Sequence, residues 1–241
     1  PVGAYVAAVI GSEIGMLAAG KTSVDIIVTP IVSIVSGCLA GQLIGPAVSA
    51  LMASLGTIIN NATLMSPIPM GILIAVVVGM VLTAPISSAA LCIMLGLDGL
   101  AAGAAVVGCS AQMIGFAVMS YKENGFGGFI SVGIGTSMLQ FANIIRHPQI
   151  WIAPTLASAI LGPISTAVLK MSNTAVGAGM GTSGLVGQFS AFAAVPDGGA
   201  TLLIQVVLMH FILPAILTLI IHEITIKLGW VKSEYLKLEA L

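Results

Sequence analysis

The chain has 241 residues, of which 58% are hydrophobic and only 6% are charged, and its formal net charge is −1. A soluble domain carries roughly 25% charged residues on a polar surface, so this composition excludes a soluble enzyme and predicts an integral membrane protein. The absence of a basic surface excludes a nucleic-acid binder. The three cysteines lie in apolar runs without the spacing of zinc ligands, so the sequence predicts no metal and no cofactor.

Six apolar stretches are long enough to predict membrane-spanning helices, which need about 20 apolar residues. They cover residues 2–19, 24–45, 70–95, 98–119, 149–170 and 200–227. Pro85 predicts a kink in the third stretch, because a proline inside a helix removes a backbone hydrogen bond. The sequence opens inside an apolar run without a methionine, so we expect a further N-terminal part.

Three other stretches are apolar but too rich in glycine, proline or asparagine for a regular helix. They cover residues 46–62, 125–146 and 173–199. Irregular backbone at membrane depth is tolerated only where protein buries it or where it lines a wet cavity, and discontinuous helices commonly build transporter sites. We therefore predict an all-α membrane protein with about six spans and two to three re-entrant or discontinuous segments. For any single stretch, tight helix packing through small residues is the alternative.

Two further patterns bear on architecture. The run Ile26–Pro30 precedes Gly45-Pro46 much as Ile150–Pro154 precedes Gly162-Pro163, which indicates either an internal repeat or chance matching in apolar sequence. If the three irregular stretches return to their own side, five of the seven basic residues share one side. This arrangement predicts a cytoplasmic C-terminus with a short tail at 228–241. The five are Lys122, Arg146, Lys227, Lys232 and Lys237.

Two nucleotide-binding patterns occur, and both are rejected. Residues Gly15–Thr22 fit G-x-x-x-x-G-K-[ST], and Gly179–Gly184 fit G-x-G-x-x-G. Both motifs require a strand and a helix of an α/β domain around the loop, whereas the flanking residues here predict membrane helices. A glycine-rich turn that leads into a short helix still offers free backbone N–H groups to an anion or a sugar hydroxyl.

Polar residues within the apolar stretches are the candidate substrate ligands. Glu13 lies inside the first predicted span, where an ionisable group is a functional candidate for hydroxyl binding or proton coupling. Asp25 fits either a helix cap or a ligand. Amides and hydroxyls cluster at the irregular stretches, where they match sugar hydroxyls or, alternatively, satisfy broken backbone and join helices. The predicted substrate-binding residues are Glu13, Asp25, Asn60, Asn61, Gln140, Asn143, Asn173, Thr182, Ser183 and Gln188.

Several motifs resemble one family, and together they cover nearly the whole chain. They are Gly20–Pro30, Ser120–Gly125, Gly133–Met138, Ile150–Pro154 with Leu161–Ile164, and Gly177–Gln188. The sequence resembles the EIIC-like membrane proteins of the bacterial phosphotransferase system, in the branch that includes the perfringolysin O regulator. In several EIIC families a glutamate and a histidine near broken helices hold the sugar, but this sequence has no clean match to those motifs.

The resemblance implies a single EIIC-like domain over residues 1–241 and a homodimeric, multi-pass carrier in the bacterial inner membrane. Such carriers bind a sugar or related polyol within the membrane, and a partner EIIB protein phosphorylates it. The membrane chain positions the sugar and is expected to contribute no covalent catalytic residue. Two alternatives remain open at this point: a membrane sensor or regulator without phosphotransfer, and an ion-coupled carrier that uses Glu13 and Asp25.

Overall fold

The computed structural model describes residues 2–238, and these residues form helices joined by short turns. The prediction of an all-α membrane protein is confirmed. The α-helices are α1 (Val2–Ala18), α2 (Asp25–Met65), α3 (Pro67–Thr83), α4 (Ser88–Leu95), α5 (Gly99–Met119), α6 (Tyr121–Ile130), α7 (Phe141–Arg146), α8 (Ile152–Pro163), α9 (Ala175–Ala178), α10 (Val186–Ala194), α11 (Gly199–Val207) and α12 (Leu213–Lys227). Turns of π-helix or 3₁₀-helix extend several of them at Ser131–Gly135, Ser137–Gln140, Pro148–Trp151, Ile164–Val168, Ser183–Leu185, Leu208–Ile212 and Ser233–Leu236.

Four helices of the described chain are long and apolar enough to cross a membrane, compared with the predicted six or so. They are Asp25–Met65, Gly99–Met119, Pro148–Val168 and Gly199–Lys227. A bent pair of helices over residues 121–146 raises the number to five if the pair is one span. The two remaining predicted spans overlap the shorter apolar helices α1 and α3. The third predicted span divides into α3 and α4, because the chain breaks where Pro85 predicted a kink.

The prediction of an irregular element at residues 46–62 is wrong. These residues continue α2, which holds both Pro30 and Pro46 inside one helix of 41 residues. Membrane helices tolerate proline because neighbouring groups satisfy the backbone that it frees. At 1.5 Å per residue α2 is about 60 Å long, roughly twice the thickness of a bilayer's hydrocarbon core.

The other two irregular stretches are discontinuous, as predicted. Residues 121–146 form two helical limbs that meet at an angle of 119°, which we call the hairpin. Residues 173–199 form α9, a glycine-rich turn and α10, followed by a second short break before α11. Glycines with left-handed backbone lie in both stretches, at Gly125 and Gly181 for example, which is a conformation that other residues adopt at a cost.

The chain divides into two compact units, residues 1–57 and 58–241. In the first unit, α1 packs on the beginning of α2 through small residues, with Gly11 against Ser33 and Gly37. In the second unit α5 is the central helix and is almost wholly buried. Helices α3, α8 and α12 pack around α5.

Close backbone contact between α3 and α5 depends on glycine. A Cβ atom at Gly108 of α5 would overlap the carbonyl group of Ala75 in α3, and one at Gly79 of α3 would crowd Gly108. Lipid tails are as apolar as the side chains, so helix association in a membrane depends on such tight packing.

We predict that Gly108→Ala lowers the stability of the detergent-solubilised protein by about 1–3 kcal/mol, because the added methyl group forces α3 and α5 apart. Gly127→Ala is the matched control, since a Cβ atom there meets nothing within 4 Å. Thermal unfolding followed by size-exclusion chromatography measures both variants. Equal stability of the two would contradict the packing argument.

Candidate functional site

Three breaks in the helices of the second unit contribute residues to one cavity of about 450 Å³. The first break lies between α3 and α4, the second at the tip of the hairpin, and the third is the glycine turn at residues 179–185. The lining residues are Leu82, Pro85, Ile86, Ser87, Ser88, Ala89, Met113, Thr136, Met138, Gly179, Met180 and Ser183. This volume lies within the range of small-molecule sites, which runs from about 300 to 1,000 Å³.

The first break turns the start of α4 towards the cavity. Ala84 has extended backbone, as the residue before a proline usually does. After Pro85, the Ser87 hydroxyl accepts a hydrogen bond of 3.2 Å from the backbone N–H of Ala90 and caps α4. Ser87, Ser88 and Ala89 line the cavity, so the N-terminal turn of α4 borders it.

The hairpin tip has the same construction. Thr136 is extended between a π-helical turn and the second limb, and its hydroxyl accepts a hydrogen bond of 3.1 Å from the N–H of Met138. Thr136 and Met138 both line the cavity. Two helix N-termini therefore border one cavity, and each carries partial positive charge and backbone N–H groups that can bind oxygen atoms.

The glycine turn is tied to the other two breaks by hydroxyl groups. The Ser88 hydroxyl donates to the carbonyl of Gly179 at 2.6 Å. From the turn itself, Thr182 donates to the carbonyl of Gly133 and Ser183 to that of Gly135, the latter at 2.9 Å. A side chain at Gly181 would overlap Cys109 of α5, so the turn lies directly on the central helix. These contacts join all three breaks into one structure.

A buried polar cluster connects α3, the hairpin, α5 and α8. Gln112 of α5 is fully buried, accepts a hydrogen bond of 2.9 Å from the Trp151 indole and donates one of 3.3 Å to the Thr155 hydroxyl. The Thr83 hydroxyl lies 2.8 Å from the Ser137 hydroxyl and donates to Gln112 at 3.4 Å. Sequence reasoning missed this cluster. The single amide inside the apolar span 98–119, Gln112, could have indicated a polar contact between helices.

Of the predicted site residues, Thr182 and Ser183 lie at the cavity. Ser183 lines it, and Thr182 is buried in the contact with Gly133. Asn173 is buried next to the same turn, where it donates to the Gly187 carbonyl at 2.9 Å and accepts from the Thr174 N–H at 2.8 Å. Gln188 is paired with the buried His210 ring, with 2.9 Å between Nε2 and Nδ1.

The other four predicted amides lie away from the cavity, and three of them contact backbone groups. Gln140 and Asn143 donate to carbonyl groups of the C-terminal tail, at 2.9 and 3.0 Å. Asn60 donates to the Gly96 carbonyl at 2.9 Å and accepts from the Asp98 N–H at 3.3 Å, so it joins the end of α2 to the turn after α4. Asn61 is exposed on α2. None of these four lines the cavity.

The two predicted carboxylates belong to the first unit. Glu13 is exposed on α1, and Asp25 begins α2, where its carboxylate accepts a hydrogen bond of 2.9 Å from the Thr29 hydroxyl. A carboxylate in the first turn of a helix also stabilises the helix dipole. The described residues contain no group of three or more His, Cys, Asp or Glu side chains that could hold a metal ion.

A family model described as "Phosphotransferase system, EIIC" matches residues 1–238. The chain belongs to the phosphotransferase system EIIC family. It is therefore a permease-type, multi-pass membrane component of that system, as the sequence motifs indicated. Neither the curated proteins nor the solved structures contained a match to the chain.

We predict that Gln112→Leu lowers the free energy of unfolding by about 1–3 kcal/mol, because Trp151 and Thr155 lose buried hydrogen-bond partners. Chemical denaturation monitored by tryptophan fluorescence measures the change. Gln205→Leu is the control, since its half-buried side chain makes no hydrogen bond in the described part of the chain. The account of the polar cluster fails if the two substitutions have equal effects.

Proposed function

We propose that this chain is the membrane permease of a phosphoenolpyruvate-dependent sugar phosphotransferase system. It binds a sugar or related polyol in the cavity between the three helix breaks and carries it across the bacterial inner membrane. A partner EIIB protein then phosphorylates it. The observation that carries the proposal is a hydroxyl-bearing cavity bordered by two helix N-termini, in a chain of the EIIC family.

The lining suits a neutral, hydroxylated ligand. The Ser87 and Thr136 hydroxyls accept hydrogen bonds from backbone N–H groups and keep an O–H donor for a ligand, whereas Ser183 donates to Gly135 and keeps acceptor capacity. Among the described residues, those that line the cavity include no Asp, Glu, Lys, Arg or His. A charged ligand would therefore find no side-chain counter-charge among these residues, and burying an unpaired charge is costly.

Apolar side chains form the rest of the wall. Met113, Met138 and Met180 come from α5, the hairpin and the glycine turn, and Leu82 and Ile86 flank the first break. Such walls pack against the C–H faces of a sugar ring, and methionine adapts its shape to the ligand. Hydroxyl groups then fix the orientation, which is the usual division of labour in a small-molecule site.

The chain's part in the reaction is positioning. The hydroxyl groups of Ser88, Thr182 and Ser183 are engaged with carbonyl groups of the breaks. We propose that these contacts hold the cavity in shape, so that a bound sugar presents one hydroxyl to the phosphoryl group of EIIB. Correct placement of a reacting group is itself a large source of rate acceleration.

The structure also bears on orientation. Arg146 and Lys237 line one polar cavity at the open end of the hairpin, and Lys232 lies on the same tail. This grouping supports a cytoplasmic position for that end under the positive-inside rule. The family resemblance is the support for a homodimer. The described tail residues 228–238 are proposed to face the EIIB protein.

We predict that vesicles containing the protein accumulate a labelled sugar as its phosphate ester only when phosphoenolpyruvate and the phosphotransferase proteins are inside. A panel of hexoses and hexitols identifies the substrate. Accumulation of unmodified sugar that collapses with the proton gradient would instead establish an ion-coupled carrier. Binding of a sugar without accumulation would establish a sensor.

We predict that Ala89→Trp reduces this uptake at least about tenfold, because the indole fills the cavity that α4 borders. Ile93→Trp is the matched control, since Ile93 lies on the same helix, is exposed and does not line the cavity. Circular dichroism and size-exclusion chromatography check that both variants fold. Normal uptake by a folded Ala89→Trp protein would show that the substrate binds elsewhere in the chain.

A further inference from the structure

We infer that tail residues 233–238 form a clasp that fixes the position of the hairpin tip at the cavity. The positioning residues for transport are Asn124, Gln140 and Asn143. The inference rests on the proposed function for its link to transport, and on the contacts of the tail for its structural part.

One carbonyl group of the tail binds both limbs of the hairpin. The Leu236 oxygen accepts a hydrogen bond of 2.8 Å from Asn124 of the first limb and one of 2.9 Å from Gln140 of the second limb. These two donors lie on opposite sides of the 119° bend between the limbs. The tail therefore sets the distance between the limbs where it crosses them.

Further hydrogen bonds fix the tail in register. The Leu238 N–H donates to the Asn124 side-chain oxygen at 2.9 Å. Asn143 donates to the Lys237 carbonyl at 3.0 Å and to the Gln140 side-chain oxygen at 2.8 Å. Gln140 and Asn143 are buried, so a loss of the tail would leave buried amides without partners, which is costly.

Apolar contacts anchor the same segment. Leu236 and Leu238 are buried in a cluster with Phe116, Val132 and Ile144, which belong to α5 and to both limbs of the hairpin. The ring of Tyr235 stacks on His147, just after the second limb, with 3.8 Å between ring centroids. The clasp thus holds each limb by side chains as well as by backbone.

The hairpin connects the clasp to the cavity. Gln140 lies only four residues after Thr136, which lines the cavity, and both belong to the stretch that forms the tip and second limb. At the tip, Ser137 contacts Thr83 and the Gly135 carbonyl accepts from Ser183. A shift of the limbs at the clasp therefore moves the cavity wall, although no clasp residue lines the cavity.

A polar cavity of about 500 Å³ lies between the hairpin and the tail, lined by Asn143, Arg146, His147, Glu234, Tyr235, Lys237 and Leu238. Release of the tail would lower the fraction of molecules whose cavity has the binding geometry. Apparent affinity falls in proportion to that fraction, while the turnover of bound sugar changes less.

The test compares Gln140→Ala with Gln149→Ala in the full chain. Gln149 lies just beyond the hairpin, and its half-buried side chain makes no hydrogen bond among the described residues. In hydrogen–deuterium exchange we expect Gln140→Ala to speed exchange at residues 131–140 and 233–238 together, and Gln149→Ala to leave both unchanged. Tyr235→Ala changes a residue of the tail and none of the hairpin, and it must also speed exchange at 131–140.

Transport gives the second readout. We expect Gln140→Ala and Tyr235→Ala to raise the KM for sugar uptake about threefold to tenfold, with Vmax within about twofold of the unmodified protein. Unchanged exchange at the hairpin tip in both variants would overturn the clasp. Faster exchange with an unchanged KM would overturn its role in positioning the cavity. If the unmodified protein moves no sugar, the proposed function fails, and the exchange data alone still decide the clasp.

Discussion

A backbone carbonyl at a helix break must find a hydrogen-bond donor inside the protein, because the lipid around it offers none. In this chain, side-chain hydroxyls meet that demand by crossing from one break to another. Ser88 of the first break binds the glycine turn, and Thr182 and Ser183 of that turn bind the hairpin. The need to satisfy broken backbone therefore brings the three breaks together, and the cavity is the space left between them.

The same constraint gives the cavity the hydroxyl groups on which the proposed binding of a sugar depends. The side chains that satisfy the carbonyl groups at the breaks carry short hydroxyls. The helices that start after Ser87 and Thr136 add backbone N–H groups, so polar groups line part of the cavity without adding a charge. Because the chain belongs to the EIIC family, a sugar is the ligand expected for this cavity. Buried amides join other elements at a distance from the cavity. Gln112 joins α5 to α8 through side-chain hydrogen bonds, and the hairpin amide of Gln140 binds a backbone carbonyl of the tail.

Much of the fold was predictable from local sequence, and most of the site was not. Apolar length predicted six spans, four of which form helices long enough to cross a membrane, and glycine content predicted the two discontinuous segments, because both signals are local. The irregular element predicted from Gly45-Pro46 was wrong, because a membrane helix such as α2 can continue through proline. Thr182 and Ser183 were predicted because they belong to a dense glycine motif, and the structure places them at the break beside the cavity. Thr83, Ser88 and Ser137 were missed because their partners are distant in sequence, for instance 91 residues between Ser88 and Gly179.

The most direct test of the shared cavity is substrate protection of a cysteine placed in its wall. Ile86→Cys introduces a thiol at the first break, and Ile93→Cys places one outside the cavity on α4, each in a Cys38→Ser background that removes the exposed native thiol. Alkylation by a maleimide is timed with and without each sugar of a hexose and hexitol panel. The account predicts that the transported sugar slows alkylation at position 86 and leaves position 93 unchanged. Equal alkylation rates at position 86 with and without a sugar that the protein transports would contradict it.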